Sequence, residues 1–556
     1  MTRLRERVRT IGELPFAAAE AYGDRPALRA RRDGVWVDRS FTELAATVRD
    51  LARGLVAEGI APGDRVCVLA ETCPEWTYAG LAVLAAGGVL VPIYPSSSAE
   101  ECAWVIGNSG ATMVVCEDAG QLAKVERVRA RLPDLESTLI ITDGGLSRLA
   151  AAGSSDLDRE LALRRSALSP DAPAQIIYTS GTTGPPKGCV LTHRNWLTLC
   201  EINERTAYVR PADVVYLFLP LAHVFAQITQ FASLDAGATL AYYSGDLRRI
   251  VPELAEVAPT FLPSVPRIFE KLYTALTASG VTDPIALSPA VRGVFGGRLR
   301  MALSGAAPIS PGVLEFFAAA GAPVLEGYGM TETTGVGTVS TLDHHRFGTV
   351  GVAAPGTRIR LAEDGEVLMS GPHVFAGYWR DPAATAEVLV DGWVHTGDLG
   401  TLDAEGFLTI TGRKKDIIIT AGGKNIAPAN LENDLRQSRW ISHAIVYGDR
   451  MPYPVALLTL DAEEILPWAR QRGLPADPPA LAARVEVRDL LQHVVDEVNA
   501  RYARAAQIKR FAILDRDLTH EFGELTPTLK VKRAAVHANH ATIFARLYGG
   551  DDDGRG

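Results

Sequence analysis

The sequence predicts an α/β fold: a large N-terminal domain of two α/β sheets plus a small β-barrel, followed by a small α+β C-terminal domain. Three observations carry this expectation. Short apolar runs rich in β-branched residues alternate with helical stretches over the first 150 residues, which is the pattern of layered, largely parallel sheets. The same alternation returns after the middle of the chain. From about Gly348 the texture changes to Gly-rich short strands that end at a charged cluster after Gly412.

In chain order, RVCVLAE (65–71), ATMVVCE (111–117) and TLIITD (138–143) read as buried strands of the first sheet. The uncharged run from Trp76 to Ala99 is long enough on paper to cross a bilayer. Gly87, Gly88 and Pro92 interrupt it, and Glu75 and Glu100 flank it where basic residues would be expected, so it reads as a buried helix, a glycine turn and a strand. DVVYLFLP (213–220), GATLAYY (237–243), LRMALSG (299–305) and APVLEGYG (322–329) supply the second sheet. The expected boundaries are 1–411 for the N-terminal domain, 412–546 for the C-terminal domain and 547–556 for a disordered tail.

A chain of 556 residues needs more than one hydrophobic core, and 47% hydrophobic with 22% charged residues is an ordinary globular composition. The formal net charge of −9 argues against a general nucleic-acid binder. Six scattered cysteines without a C-x-x-C pair argue against a zinc site or a disulfide framework, and a cytoplasmic, reducing location is the simplest expectation. The Arg-rich start lacks the apolar core of a secretory signal. Only nine of the 56 basic residues are lysines, and Lys187, Lys414, Lys415, Lys424 and Lys530 fall inside three short motifs, where a compact ammonium on a flexible stem suits the site.

The most informative string is YTSGTTGPPKG (178–188). Thr179, Ser180, Thr182 and Thr183 supply hydroxyls, Gly181, Gly184 and Gly188 let backbone N–H groups turn inward, and Lys187 adds a positive charge, which together suit a polyphosphate. It is not a Walker A loop, because Lys187 precedes Gly188 and Cys189 rather than a Ser or Thr.

The whole string resembles the phosphate loop of the adenylate-forming superfamily, which holds acyl-CoA synthetases, peptide-synthetase adenylation domains and luciferases. The resemblance continues in order through LPLAHVF (219–225), GYGMTET (327–333), VHTGD (394–398), GRKKDIIITAGGKNIAPANLE (412–432) and TPTLKVKR (526–533). It implies an ATP-dependent ligase that makes an acyl adenylate and passes the acyl group to coenzyme A, with Mg2+ as the metal. Lys530 would bridge carboxylate, ribose and α-phosphate; Leu529 stands where the pattern often has Gly, as in the long-chain branch. Glu332 would hold the magnesium, with Thr331 on the α-phosphate. Asp398 would accept the ribose hydroxyls, braced by Arg413, since a carboxylate takes two O–H donors at once.

Gly327, Tyr328 and Gly329 would cover the adenine, with Gly305, Ala306 and Ala307 as the backbone wall of its pocket. His223, Val224 and Phe225 would line the acyl pocket. Lys415 would be the hinge, and Gly422, Gly423 and Lys424 the loop presented to coenzyme A. Bland readings stand beside some of these roles: Tyr328 as a core aromatic, Glu332 as a helix cap, and, for a basic residue near the C-terminus, a solvated surface charge, a role that suits the neighbouring Lys532 and Arg533.

Within the superfamily, VPRIFEKLY (265–273), LSGAAPI (303–309) and ELTPTLKVKR (524–533) resemble the long-chain fatty acyl-CoA synthetase branch. That branch carries a long helical insertion where Thr274 to Phe295 is short here, so a medium- or long-chain fatty acid stands beside a bulky polycyclic, terpenoid or polyketide acid of a biosynthetic pathway. An acyl-AMP ligase loading a carrier protein is the other alternative, although no blocking insertion lies between Asp398 and Gly412. No G-x-S-x-G string supports a serine hydrolase. The expected partners are thus ATP, a small carboxylic acid and coenzyme A, with no nucleic acid and no transmembrane segment; peripheral membrane contact and a homodimer are left open.

Overall fold

The computed structural model describes residue 4 and residues 8–179, 185–278, 280–526 and 530–549. Two seven-stranded sheets form the large domain. The first is ordered Gly377–Tyr378, Lys187–Thr192, Pro173–Thr179, Val89–Ile93, Arg65–Leu69, Met113–Cys116, Ser137–Ile140, parallel from Pro173–Thr179 onward and antiparallel over its first two pairings. The second is ordered Val324–Glu326, Met301–Ser304, Phe261–Ser264, Val214–Leu217, Thr239–Tyr242, Pro26–Arg32, Val35–Ser40, with only the last pair antiparallel.

The run from 76 to 99 resolves as expected into helix Pro74–Ala85, a turn at Gly87 with φ +87° and the fully buried strand Val89–Ile93. No helix among the described residues is long and apolar enough to cross a membrane. Sequence order does not separate the two sheets. The hairpin Pro26–Ser40 joins the second sheet through Leu28 beside Leu240, and Gly377–Tyr378 returns to the edge of the first.

The Gly-rich segment forms an antiparallel sheet of Arg358–Leu361, Glu366–Ser370, Trp393–Leu402 and Leu389–Val390, with Leu408–Arg413 also paired to Trp393–Leu402. A short turn, Lys414–Asp416, leads into the C-terminal domain. There a three-stranded sheet, Ile441–Tyr447, Val455–Leu460 and Arg510–Ile513, builds a separate core with Leu431, Ile465, Leu491 and Phe511. The terminal helix Ala541–Tyr548 continues two residues past the boundary expected at 546, because Phe544, with Leu547 and Tyr548 beside it, packs against the sheet. The remaining tail lies outside the described residues. All six cysteines are free thiols, five of them buried.

Candidate active site

Three adjacent parallel strands of the second sheet, Phe261–Ser264, Met301–Ser304 and Val324–Glu326, end side by side. Their carboxyl ends deliver Val265, Gly305 to Ala307 and Gly327 to Glu332 to one place, the end at which open α/β sheets bind ligands. The loop after Val214–Leu217 brings His223 there, and the first sheet contributes Thr179 and Lys187, which are paired across their ladder. The C-terminal domain closes the other side. The resulting cleft has a volume of about 1790 Å³.

Of the residues expected to form the site, Thr179, Lys187, His223, Val224, Phe225, Gly305, Ala306, Ala307, Gly327, Tyr328, Gly329, Thr331, Glu332, Asp398, Arg413, Lys415 and Lys530 all line this cleft. Ser180, Gly181, Thr182, Thr183 and Gly184 lie outside the described residues. Gly422, Gly423 and Lys424 do not line it; they form an exposed hairpin turn, closed by Gly423 N–H donating to Thr420 O at 2.8 Å.

Glu332 is 7% exposed, and its Oε1 accepts the Tyr378 hydroxyl at 2.6 Å. The carboxylate is thus not spent on a helix cap. The Tyr378 ring in turn lies under the Lys187 ammonium, which is 5.2 Å from its centroid, so one tyrosine contacts both this cation and the Glu332 carboxylate. Tyr378 had no motif to announce it; only its pairing with Cys189 on the neighbouring strand brings it here. A buried carboxylate is the hard oxygen donor that magnesium takes when few protein oxygens and several phosphates complete its shell, so Glu332 fits that ion.

Asp398 and Arg413 face each other across the ladder of Trp393–Leu402 and Leu408–Arg413, with Arg413 Nε 3.2 Å from Asp398 Oδ1. Asp398 Oδ2 accepts the Tyr328 hydroxyl at 2.6 Å. Burial and the adjacent carboxylate hold that phenol protonated, with its pKa well above the ordinary value. Each carboxylate oxygen keeps a further lone pair for an incoming hydroxyl. Tyr328 also packs against Val367, Met369 and Leu408, as a core aromatic would.

His223 caps helix Val224–Ala236, its Nδ1 accepting Phe225 N–H at 3.2 Å. That bond leaves the hydrogen on Nε2. Burial and the nearby Lys530 charge push its pKa down to about 3, so the ring is neutral. Phe225 lies on Gly305, where an added Cβ would meet the ring at 3.2 Å. Ala306 beside it holds φ +69°, a left-handed conformation costly for a residue with a Cβ.

Lys530 enters from a loop whose arms meet at the Leu525–Val531 bridge, with Thr526 N–H donating to Lys530 O at 2.8 Å. The Arg516–Glu524 pair, at 2.6 and 2.8 Å, braces the base of that loop. The Lys530 side chain lines the cleft; desolvation by the surrounding protein and the Arg413 charge lower its pKa, while Asp398 and Glu332 oppose the shift. One expectation needs correcting. Arg533 is not a solvated surface charge: it bonds Glu432 through both terminal nitrogens and lies 3.6 Å from Asp416, tying the terminal helices to Pro428–Arg436. Glu326, next to the glycine motif, was also missed: it is 9% exposed, lines the cleft, and burial raises its pKa to about 7.

Fold and site together define an adenylate-forming enzyme. Residues 16–379 match the AMP-binding enzyme family and residues 415–552 match the AMP-binding enzyme C-terminal domain, and the chain belongs to that family. It is 39% identical to the long-chain-fatty-acid–CoA ligase FadD15 of Mycobacterium tuberculosis, over 93% of each chain. It is 30% identical to the long-chain-fatty-acid–CoA ligase heimdall of Drosophila melanogaster, over 97% of this chain and 95% of that one. The fold is shared with o-succinylbenzoate CoA synthetase of Bacillus subtilis in complex with its acyl-adenylate intermediate, with TM-score 0.75, 23% identity, and 94% and 97% of the two chains covered.

Proposed function

We propose that this chain is an AMP-forming acyl-CoA ligase whose substrate is a fatty acid. The observation that carries the reading is the convergence of Lys530, Glu332, Asp398 and Arg413 on one cleft from both domains. In the first half-reaction a carboxylate oxygen attacks the α-phosphorus of ATP, the bond to the β-phosphate bridging oxygen breaks, and pyrophosphate leaves with its electron pair. Lys530 and Lys187 place positive charge where the phosphoryl oxygens gather negative charge, and such preorganised charge stabilises the transition state without reorganisation. Asp398, held by Tyr328 and Arg413, orients the ribose, and Thr331 orients the α-phosphate. Glu332 would hold the magnesium ion, which would neutralise phosphate charge and fix its geometry.

In the second half-reaction the thiol sulfur of coenzyme A attacks the acyl carbonyl and AMP departs; no protein nucleophile is needed. Lys415 in the exposed turn Lys414–Asp416 is the hinge about which the C-terminal domain exchanges Lys530 for Gly422, Gly423 and Lys424. Support comes from the exposed position of that glycine loop while Lys530 occupies the cleft.

The fatty-acid reading draws on the names of the relatives and on the apolar branch of the cleft between helices His193–Thr206 and Val224–Ala236, where Leu199, Ile202, Ile228 and Ala232 face the space. The described residues of Thr274–Phe295 do not line the cleft, so chain length is set by these two helices and Phe261. A panel of acids from butyrate to palmitate, with one rigid terpenoid acid, assayed for AMP release with and without coenzyme A, tests the reading. Coenzyme A-dependent turnover of the linear acids is the expected result. Turnover of the terpenoid acid alone would refute the fatty-acid assignment.

A further inference from the structure

Helix Pro266–Thr277 presents two faces with different tasks. Phe269 and Leu272 enter the core, where Phe269 meets Phe317 edge-on at 6.0 Å. Arg267, Glu270 and Lys271, at positions i, i+3 and i+4, share another face, and that face looks across the cleft at the C-terminal domain. There the complementary charges stand opposite. Arg267 pairs with Asp461, the N-cap of helix Ala462–Gln471; Lys271 Nζ is 2.6 Å from Glu463 Oε2; and Glu270 lies within electrostatic reach of Arg436. The pattern is plus, minus, plus on one domain against minus, plus, minus on the other.

We propose that this charged face is a latch that holds the C-terminal domain in the orientation delivering Lys530, with Arg267 as a positioning residue for acyl-adenylate formation. The proposal rests on the two half-reactions described above. The paired residues join segments about 190 positions apart, since the Arg267–Asp461 contact spans 194 residues and Lys271–Glu463 spans 192. Asp461 also caps helix Ala462–Gln471, whereas its contact with Arg267 and the Lys271–Glu463 contact cross between the two domains.

The latch is also built to release. Lys271 and Glu463 are well exposed, and exposed pairs contribute little each. Glu270 Oε2 and Arg436 Nε are buried without a hydrogen-bond partner, so closing the domains desolvates two polar atoms and offsets part of the attraction. The turn that starts this helix, Val265–Pro266, lines the same cleft, and Ser264 O accepts Gly305 N–H at 3.1 Å, which puts the latch one residue from the acyl and nucleotide walls.

The test uses the full chain with palmitate, ATP and synthetic palmitoyl adenylate. Adenylation is read by palmitate-dependent ATP–pyrophosphate exchange, and transfer by palmitoyl-CoA formation from the supplied adenylate. R267E should slow exchange about tenfold or more while leaving transfer within about twofold. K271E and E463K should each slow exchange about two- to fivefold, and the K271E/E463K double variant should return it toward the parent. Hydrogen–deuterium exchange over 462–471 should rise in R267E and in each single variant, a readout independent of turnover. Equal slowing of both half-reactions, or a double variant no better than the worse single one, would overturn the latch. If the parent gave no exchange with any acid, the functional reading would fail, and unchanged deuterium uptake in R267E would still overturn the latch by itself.

Discussion

Glu326 ends strand Val324–Glu326 beside the glycine motif, 9% exposed, and burial raises its pKa from 4.5 to about 7. A displacement of that size is worth about 3 kcal/mol between its two protonation states. Because the folded-state pKa lies above the unfolded one, the folded protein binds this proton more tightly. The associated stability is complete below the unfolded value and is lost as pH rises through about 7. Glu326→Gln preserves the neutral shape and removes the titration. Parent and variant should unfold alike near pH 4.5, whereas at about pH 8.5 the variant should be more stable by roughly 2 to 3 kcal/mol. Thermal unfolding of both proteins in matched buffers across that range measures the gap, read as a difference of midpoints because a two-domain chain has no single unfolding free energy. A gap that stays constant with pH, or that opens toward acid, would refute the assignment of a buried, proton-holding carboxyl at this position.

Two other perturbations follow from the geometry. Tyr378→Phe removes the hydroxyl that fixes Glu332 at 2.6 Å, a bond to a charged group worth about 1.5 to 3 kcal/mol; adenylation should fall roughly tenfold and need more magnesium, and an unchanged magnesium midpoint would contradict that role. Ala232→Trp fills the apolar branch between the two helices, so kcat/KM for palmitate should fall by about tenfold or more relative to butyrate; an unchanged ratio would place the acyl chain elsewhere.

Much of the site is legible in the sequence because it is carried by contiguous strings at strand ends. GYGMTET follows directly from Val324–Glu326, Gly305 to Ala307 follow Met301–Ser304, and YTSGTTGPPKG bridges two paired strands, so local order and spatial order coincide. The glycine pair after Trp76–Ala86 likewise marks a real turn, since Gly87 sits at positive φ. What the strings do not carry is pairing across long intervals. Tyr378 reaches Glu332 only because a two-residue strand docks on Lys187–Thr192, and Pro26–Ser40 crosses to the second sheet through a parallel contact with a strand over 200 residues away. Arg533 looked solvated because its partner, Glu432, is 101 residues distant. Glu326 gave no signal because its raised pKa comes from burial, and burial belongs to the packed sheet rather than to the residue.

The central claim is that Lys530 acts in adenylate formation and not in thioester formation. Lys530→Ala, assayed separately for palmitate-dependent ATP–pyrophosphate exchange and for palmitoyl transfer from supplied palmitoyl adenylate to coenzyme A, tests it most directly. Exchange should fall by about 3 kcal/mol or more, roughly a hundredfold, with transfer largely intact. Equal loss of both half-reactions in a folded variant, or unimpaired exchange, would contradict the account.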